Sequence, residues 1–592
     1  MAILTNGGPA TGRRPAAPGS RSALPAPKYP RVFGVGRGLA LQYAVFVILA
    51  LFVIAPIVPI LYQSALDRPL YAPGGLLTFD NYVHLFTDAG FGQVIVNTAI
   101  FAVLTTVLTL VIAVPMAVLV VRTRLPFGRL LGLSMQWPFF ISTLILGFGW
   151  ITLYGPAGFI SVQVRQLIGT VPWNLYTIPG MAVTEAVGLA PIAYVFCVNA
   201  LHKADASLES AAQVCGAGPL RILFRVVIPM LRPPIVYSSI LVFSMSLETL
   251  SVPLLYGTPV RIEVFSTFLY TNGLQSIRPN YGILGAASTI ILAVTVLTVV
   301  IQAKVLKNAQ RFVSVRGKAT RPRLLELGWV RWVATAVIIF YVVFGALLPM
   351  LGLVFRSFTL IFTPLQSPFK TLTLANYERV FTFATYVQSI TNSVVVSLIG
   401  AVLISGLALL AVLVARRSTF RFARAIEYLS LAPQAIPGII VGIGFFWAFA
   451  LMPGGGLIQG TLTAIIIAFG LRALPTGFGS IASSVMQIAA ELDNGARTSG
   501  ADWLGAFFRV LRKLLVPAFV GSLILVFVTM MKEYSAALFL ASANTGVIGT
   551  TMLELWVQGN TGSVAALATI QIVISAVFVA VASIFMKGHQ DA

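Results

Sequence analysis

Apolar stretches recur along the chain between short polar or basic segments, each long enough at about 20 residues to cross a hydrocarbon core ~30 Å thick. Twelve stand out, near 41–62, 93–120, 130–154, 178–200, 233–256, 281–303, 332–355, 388–414, 426–451, 462–486, 517–541 and 562–586. Backbone in lipid must satisfy its own hydrogen bonds, so these are predicted to be helices. The alternation of an outer-membrane strand is absent, and residues 398–414 are apolar on all sides apart from Ser405. The expected fold class is all-α and polytopic.

The pattern is stated twice. Asn81-Tyr82, fourteen residues, then Asn97-Thr98 returns as Asn376-Tyr377, fourteen residues, then Asn392-Ser393, an offset of 295. The same offset carries Arg122 to Arg417, Arg129 to Arg424, Pro138 to Pro433, Gly147 to Gly442 and Gly149 to Gly444. A second offset, 284, pairs Ala212 and Gly216 with Ala496 and Gly500, and Pro191 with Pro475. The second copy is therefore 11 residues shorter somewhere between Gly149 and Pro191. Fixed-offset self-similarity over this length signals duplicated architecture, and in an apolar chain it points to a transporter of two six-helix halves. The halves are placed at 38–306 and 330–586. Between them 307–329 reads as a basic cytoplasmic linker, while 1–37 and 587–592 read as cytoplasmic tails, the first rich in Pro, Gly and Arg and expected to be disordered.

Charge changes the picture only once it is placed. Of 592 residues 58% are hydrophobic and 9% charged, yet the net charge is +22. Assigning alternate loops to opposite sides puts 30 of the 39 Lys and Arg on one side and seven on the other, with Arg472 and Lys532 left within or at the edge of spans. Basic loops stay cytoplasmic, so both termini are expected inside. A nucleic-acid surface would gather its basic residues on one face, so no nucleic-acid partner is expected. Two cysteines, Cys197 and Cys215, imply neither a disulfide framework nor a thiolate cage.

Two long loops, 201–232 and 487–516, fall on the basic side. The first reads Leu-Glu-Ser-Ala-Ala-Gln-Val-Cys-Gly from Leu208 to Gly216, and the second Leu-Asp-Asn-Gly-Ala-Arg-Thr-Ser-Gly from Leu492 to Gly500. Small residues leave a surface that another backbone can approach, and Gly216 and Gly500 permit a sharp turn between two short helices. An ordinary amphipathic connector is the competing reading; two copies at matching places weigh against it. Both loops resemble the Glu-Ala-Ala cytoplasmic loop of the permease subunits of binding-protein-dependent ABC importers. The first copy matches at Ser210, Ala211, Ala212, Gly216, Val226, Ile228 and Pro229. The second matches at Asn494, Gly495, Ala496, Gly500 and Val510, with Arg512-Lys513 in place of Leu-Pro. Neither copy keeps the motif's Glu, although Glu209 stands one residue upstream in the first.

The resemblance covers nearly the whole chain after residue 38, with permease cores at about 93–302 and 388–584. It is nearest to fused two-domain permeases of the iron(III) type, through Ser246–Gly257 and Met531–Leu538. It implies a type I importer fold in the bacterial inner membrane and two copies of a cytoplasmic ABC ATPase seated on the two loops. It also implies a periplasmic or lipid-anchored binding protein, and import by alternating access. Permeases for polyamines, thiamine and phosphonates share this architecture, and an ion-gradient-driven secondary transporter is the alternative from another class.

No Gly-x-x-x-x-Gly-Lys-[Ser/Thr] phosphate loop is present and no Asp/Glu/His cluster is evident, so no catalytic or metal site and no resident cofactor are expected. ATP and magnesium would be bound by the partner ATPase. A charge in mid-bilayer costs roughly 2.5–3.5 kcal/mol and asks for a reason. Glu248 and Glu533 occupy nearly matching places and are candidates for a translocation path that favours a cationic passenger. The alternatives are that a carboxylate caps a broken helix or that Glu533 pairs with Lys532. Glu185 and Arg472 lie in equivalent spans out of register, and either pair across the interface, line the path, or mark a helix end. Prolines 138, 191, 433, 437 and 475 are expected to bend their helices.

Overall fold

The computed structural model describes residues 37–590 except 88, 205, 206, 310–323, 490, 493, 494, 496–504 and 506–510. Most of the predicted N-terminal tail, much of the linker, and Asn494, Ala496, Gly500 and Val510 lie outside the described residues. Among the described residues ten helices are long and apolar enough to cross a membrane, and counting each of two bent helix pairs as one span brings the number to twelve. The first half contributes α1 (Gly38–Ser64), α2 (Gly90–Arg122), α3 (Thr143–Ile168), α4 (Ile178–His202), α5 (Pro219–Met230 with Arg232–Glu248) and α6 (Tyr281–Lys304). The second contributes α7 (Val330–Ser357), α8 (Ala384–Arg417), α9 (Ala423–Ala435 with Gly438–Leu451), α10 (Leu462–Val485), α11 (Arg512–Lys532) and α12 (Thr561–Ile584). The pieces of α5 meet at 62° and those of α9 at 110°.

Four expected spans end or break within their apolar runs. The stretch 130–154 divides into Gly128–Ser134, a short 3-10 turn at Trp137–Phe140, and Thr143–Tyr154. Pro138 opens that turn, and Pro433 opens its counterpart at Ala432–Ala435, with Pro437 at the next helix start. Pro191 and Pro475 instead sit inside α4 and α10, which run on unbroken. The stretches 233–256 and 517–541 stop being helical at Glu248 and Lys532, where Thr249 and Glu533 turn extended with ψ of 135° and 136°. Carbonyls freed at such a break need donors. Ser266 Oγ donates to the carbonyl of Thr249 at 2.5 Å, and Gln571 Nε2 to that of Met531 at 2.6 Å. Composition cannot register these breaks, because the residues beyond them are just as apolar.

The repeated Asn-Tyr and Asn-Thr/Ser pairs are stitches, and each half makes them alike. Asn81 Nδ2 donates to the carbonyls of Ser64 and Leu66 at 3.1 and 2.7 Å; Asn376 Nδ2 donates to those of Ser357 and Thr359, both at 3.0 Å. Tyr82 and Tyr377 place their hydroxyls on Ser64 and Ser357 at 2.8 and 2.7 Å. Asn97 Nδ2 donates to the Glu263 carbonyl at 3.0 Å and Asn392 Nδ2 to that of Gly546 at 2.9 Å. The hydroxyls of Thr98 and Ser393 accept from the backbone N–H of Phe265 and Ile548, both at 2.8 Å. In a solvent that offers no hydrogen bonds, chain irregularities must be capped from within, which is why these polar residues recur.

The halves embrace. α1 packs on α8 and α9 of the second half, while α7 packs on α3 and α4 of the first. Glycines set the closeness: a Cβ on Gly149 would stand 2.7 Å from the Pro349 carbonyl oxygen in α7, and one on Gly444 2.8 Å from the Pro56 Cβ in α1. Small residues are what let membrane helices meet backbone to backbone. Within α7 a π-helical stretch, Tyr341–Leu347, loosens the helical ladder; the carbonyls of Gly345 and Phe344 accept from Trp150 Nε1 at 2.8 Å and the Tyr154 hydroxyl at 2.9 Å.

Candidate functional site

The first loop builds a short helix, Ser207–Val214, outside the bundle. It ends by an accounting of carbonyls: Gly216 N–H bonds to Gln213 at 2.9 Å and Ala217 N–H to Ala212 at 3.0 Å, the paired closure of a Schellman motif. Gly216 itself takes φ of +78°, where a side chain is strained even though the space around it is open. Leu208, Ser210, Ala211 and Gly216 are exposed, while Ala212 is half-buried against the core. Beyond the turn, Pro219–Ile222 runs into a π-helical turn at Leu223–Val227, placing Val226 and Pro229 half-buried in the first piece of α5. In the second loop Gly495 is described and exposed.

Glu209, not one of the residues matched to the motif, fixes this helix to the bundle. Its carboxylate lies 3.1 Å from Arg122 Nε, with the two side chains only 4% and 1% exposed. Arg122 ends α2, and its Nη2 also donates to the Leu201 carbonyl at the end of α4, at 3.0 Å. Burial raises the Glu209 carboxyl above the ordinary range, and the adjacent guanidinium pulls it back down. The second half repeats part of the node: Arg417 Nη2 donates to the Val485 carbonyl at 2.8 Å and to that of Ile488 at 2.5 Å. Arg122 and Arg417 had been visible in the repeat, and their conserved offset was the available signal; the partner was not.

A second cluster sits where α5 and α11 break off. Arg472 of α10 reaches both candidate path residues: Nη1 to Glu248 Oε2 at 2.8 Å, Nη2 to Glu248 Oε1 at 3.1 Å, and Nε to Glu533 Oε2 at 3.4 Å. Nη1 also donates to the Ile436 carbonyl at 2.8 Å, in the break of α9. Glu533 Oε1 accepts from the backbone N–H groups of Tyr534 and Ser535 at 3.2 and 2.9 Å and from the Ser535 hydroxyl, so it does cap the broken chain. Lys532 turns away from Glu533; its Nζ donates to the Phe139 carbonyl at 2.6 Å and lies 4.8 Å from the centre of that ring. Arg472 thus pairs with Glu248 and Glu533, and Glu185 lies beside Thr249 and Glu248 with its Oε2 unbonded. Ser251 and Tyr534, from opposite halves, share a hydrogen bond of 2.9 Å in the same region. Among the described residues no group of three or more His, Cys, Asp or Glu is arranged to hold a metal ion.

Two passes of one helical plan, each with a fifth helix that breaks off at a carboxylate or its neighbour, match a known sequence profile twice. The profile of the binding-protein-dependent transport system inner membrane component aligns with residues 89–312 and again with 406–590. The chain belongs to that family. As a permease it is similar to the ferric transport system permease protein FbpB of Actinobacillus pleuropneumoniae, 25% identical over 544 residues, which cover 90% of this chain and 76% of that one. A putative ferric transport system permease protein FbpB 1 of Haemophilus influenzae is also 25% identical, over 86% of this chain and 79% of the relative. Among solved structures, a bacterial ABC transporter involved in the import of the acidic polysaccharide alginate aligns with 44% of this permease and 95% of its own chain, at 17% identity and a TM-score of 0.35. The expected duplicated permease is what is found, with twelve candidate spans when each bent pair counts as one.

Proposed function

We propose that this chain supplies both permease halves of an ATP-driven importer that moves iron(III), or a ferric complex, from a periplasmic or lipid-anchored binding protein into the cytoplasm. The observation that carries the reading is the Gly216-hinged helix 207–214, standing below the bundle with Ser210 and Ala211 exposed, in a chain whose family profile matches twice. Two copies of a cytoplasmic ABC ATPase would seat at 201–232 and 487–516 and would bind the ATP and magnesium, so the chain itself is a transport subunit rather than an enzyme. The excess of Lys and Arg in alternate loops supports a topology with both termini in the cytoplasm. Closure of the ATPase dimer would rock the halves, which meet across Arg472 and Glu248, between outward- and inward-open states.

The iron assignment rests on the names of relatives at 25% identity. It is tested by reconstituting the permease with its ATPase and binding protein in liposomes and following uptake of radiolabelled iron(III). ATP-dependent uptake supports it; uptake that needs an ion gradient and no ATPase would replace it with a secondary transporter. Gly216→Asp sharpens the test of docking. A Cβ there meets open space, so the carboxylate would project towards the ATPase rather than into the permease. Folded protein that no longer couples hydrolysis to substrate is the expected result.

A further inference from the structure

A helix that receives a push is useful only if it is rigidly joined to something that crosses the membrane. The covalent joints of the 207–214 helix are weak candidates: one side is a Gly216 turn in open space, and the other leads to the end of α4 through a short connection. The only charged side chain that this helix buries is Glu209, and it is buried against the last residue of α2. Arg122 gathers three elements there: the helix through Glu209, α4 through the Leu201 carbonyl, and the end of the linker between the halves, since the backbone of Leu325 exchanges hydrogen bonds of 2.9 and 3.1 Å with Arg122 and Arg124. At the other end of α2, roughly 35 Å away at 1.5 Å per residue, Asn97 and Thr98 hold the segment 263–265.

We propose that the Arg122–Glu209 pair is the strut that transmits motion from the first ATPase-docking helix into α2, and through α2 to the segment 263–265 at its far end. This rests on the proposed docking of an ATPase. The alternative role, stability, is disfavoured by the physics of the pair. Two desolvated charges repay their burial poorly, and apolar residues of similar volume often replace them at no loss. Arg122 Nε and Nη1 and Glu209 Oε1 are all buried without a hydrogen-bond partner, Nε and Oε1 being joined as an ion pair alone, a further cost that a purely structural contact has no reason to keep. What the pair supplies is a fixed angle between a small helix and a long one.

The test replaces both charges at once, Arg122→Met with Glu209→Leu, in the full complex with ATPase and binding protein. The complex is expected to co-purify as the wild type does, while stimulation of ATP hydrolysis by loaded binding protein falls roughly tenfold, the order expected for a group that carries coupling between sites. Normal stimulation in the double variant overturns the proposal. A second arm leaves the pair intact and inserts Gly-Gly after Ala204, slackening the covalent joint alone. Stimulation should persist, and its loss would overturn the strut in favour of transmission through the chain. If the wild-type complex shows no ATPase partner at all, the failure belongs to the proposed function and not to the strut.

Discussion

Arg472 and Glu248 face one another across the two halves as a bidentate pair, with contacts of 2.8 and 3.1 Å between residues 224 positions apart. One comes from an unbroken helix, the other from the last turn of a broken one. The pair therefore sits where the backbone changes direction, and the same guanidinium holds Glu533 and the Ile436 carbonyl, which lie beside two more breaks. One cation gathers three chain ends.

That arrangement ranks two substitutions. Arg472→Met leaves Glu248 and Glu533 facing each other without their counter-charge, in a region where their side chains are only 13% and 12% exposed. Loss of one partner from a buried pair costs about 3–5 kcal/mol. Glu248→Gln leaves Arg472 bonded to Glu533 and Ile436 and keeps an amide acceptor in place, so its cost is that of a weakened hydrogen bond, about 1–2 kcal/mol. Thermal unfolding of the purified permease should show Arg472→Met as the larger loss. The reverse order would mean that Arg472 is held mainly by Glu248 and that the threefold description is wrong.

Asn81 and Asn376 hold matching places but should not cost the same. Each donates to two carbonyls at the end of its half's first span, and each packs so closely on a glycine, Gly282 or Gly562, that a Cβ there would meet its side-chain amide. Replacing Asn81 by Ala strands two carbonyls, about 1–3 kcal/mol for each unsatisfied group. Replacing Asn376 strands that of Ser357 alone, because the Thr359 carbonyl keeps Arg356 Nη1 at 2.6 Å. Asn81→Ala is expected to lower the melting temperature more than Asn376→Ala. Equal losses would show that the Arg356 contact does not stand in for the lost amide.

The stitches also show what a sequence can reveal. Asn81, Asn97 and their copies were legible as a repeat because an irregular backbone needs the same donor in the same place in both halves. The twelve spans were legible because lipid demands apolar length. The breaks after Glu248 and Lys532 were not, since the decisive groups are carbonyls met by Ser266 and Gln571 from distant helices. Arg472 had no partner in register, because Gly188 occupies its position at the 284 offset in the first half. A cross-half pair leaves no trace in a pattern that compares one half with the other. Glu209, one residue upstream of the motif, likewise carries no sign of its partner Arg122 in the sequence. The motif draws attention to residues that touch a partner, whereas Glu209 faces inward.

Gly149 tests the embrace of the halves. A methyl there would stand 2.7 Å from a backbone oxygen of Pro349, which cannot swing aside as a flexible side chain could. Gly149→Ala should force α3 and α7 apart and cost about 1–3 kcal/mol, as overpacking does. Gly406 is the control. It lies within α8 with no atom near enough to meet an added methyl, so Gly406→Ala should be neutral or stabilise by up to about 1 kcal/mol through backbone entropy. Equal effects at the two sites would show that the approach to Pro349 imposes no steric demand.

Gly216 separates backbone from contact. Because the space around it is open, a substitution acts within the permease only through φ of +78°. Left-handed backbone costs an ordinary side chain roughly 1–2 kcal/mol, with Asn the best tolerated and β-branched residues the worst. Gly216→Asn should then retain most substrate-stimulated ATP hydrolysis in the assembled complex, Gly216→Ala less, and Gly216→Val least. The ordering matters more than any single value, because Asn is bulkier than Ala. If activity instead falls with side-chain size, Asn below Ala, the glycine is needed for room against a docked partner, and the turn itself would tolerate any residue.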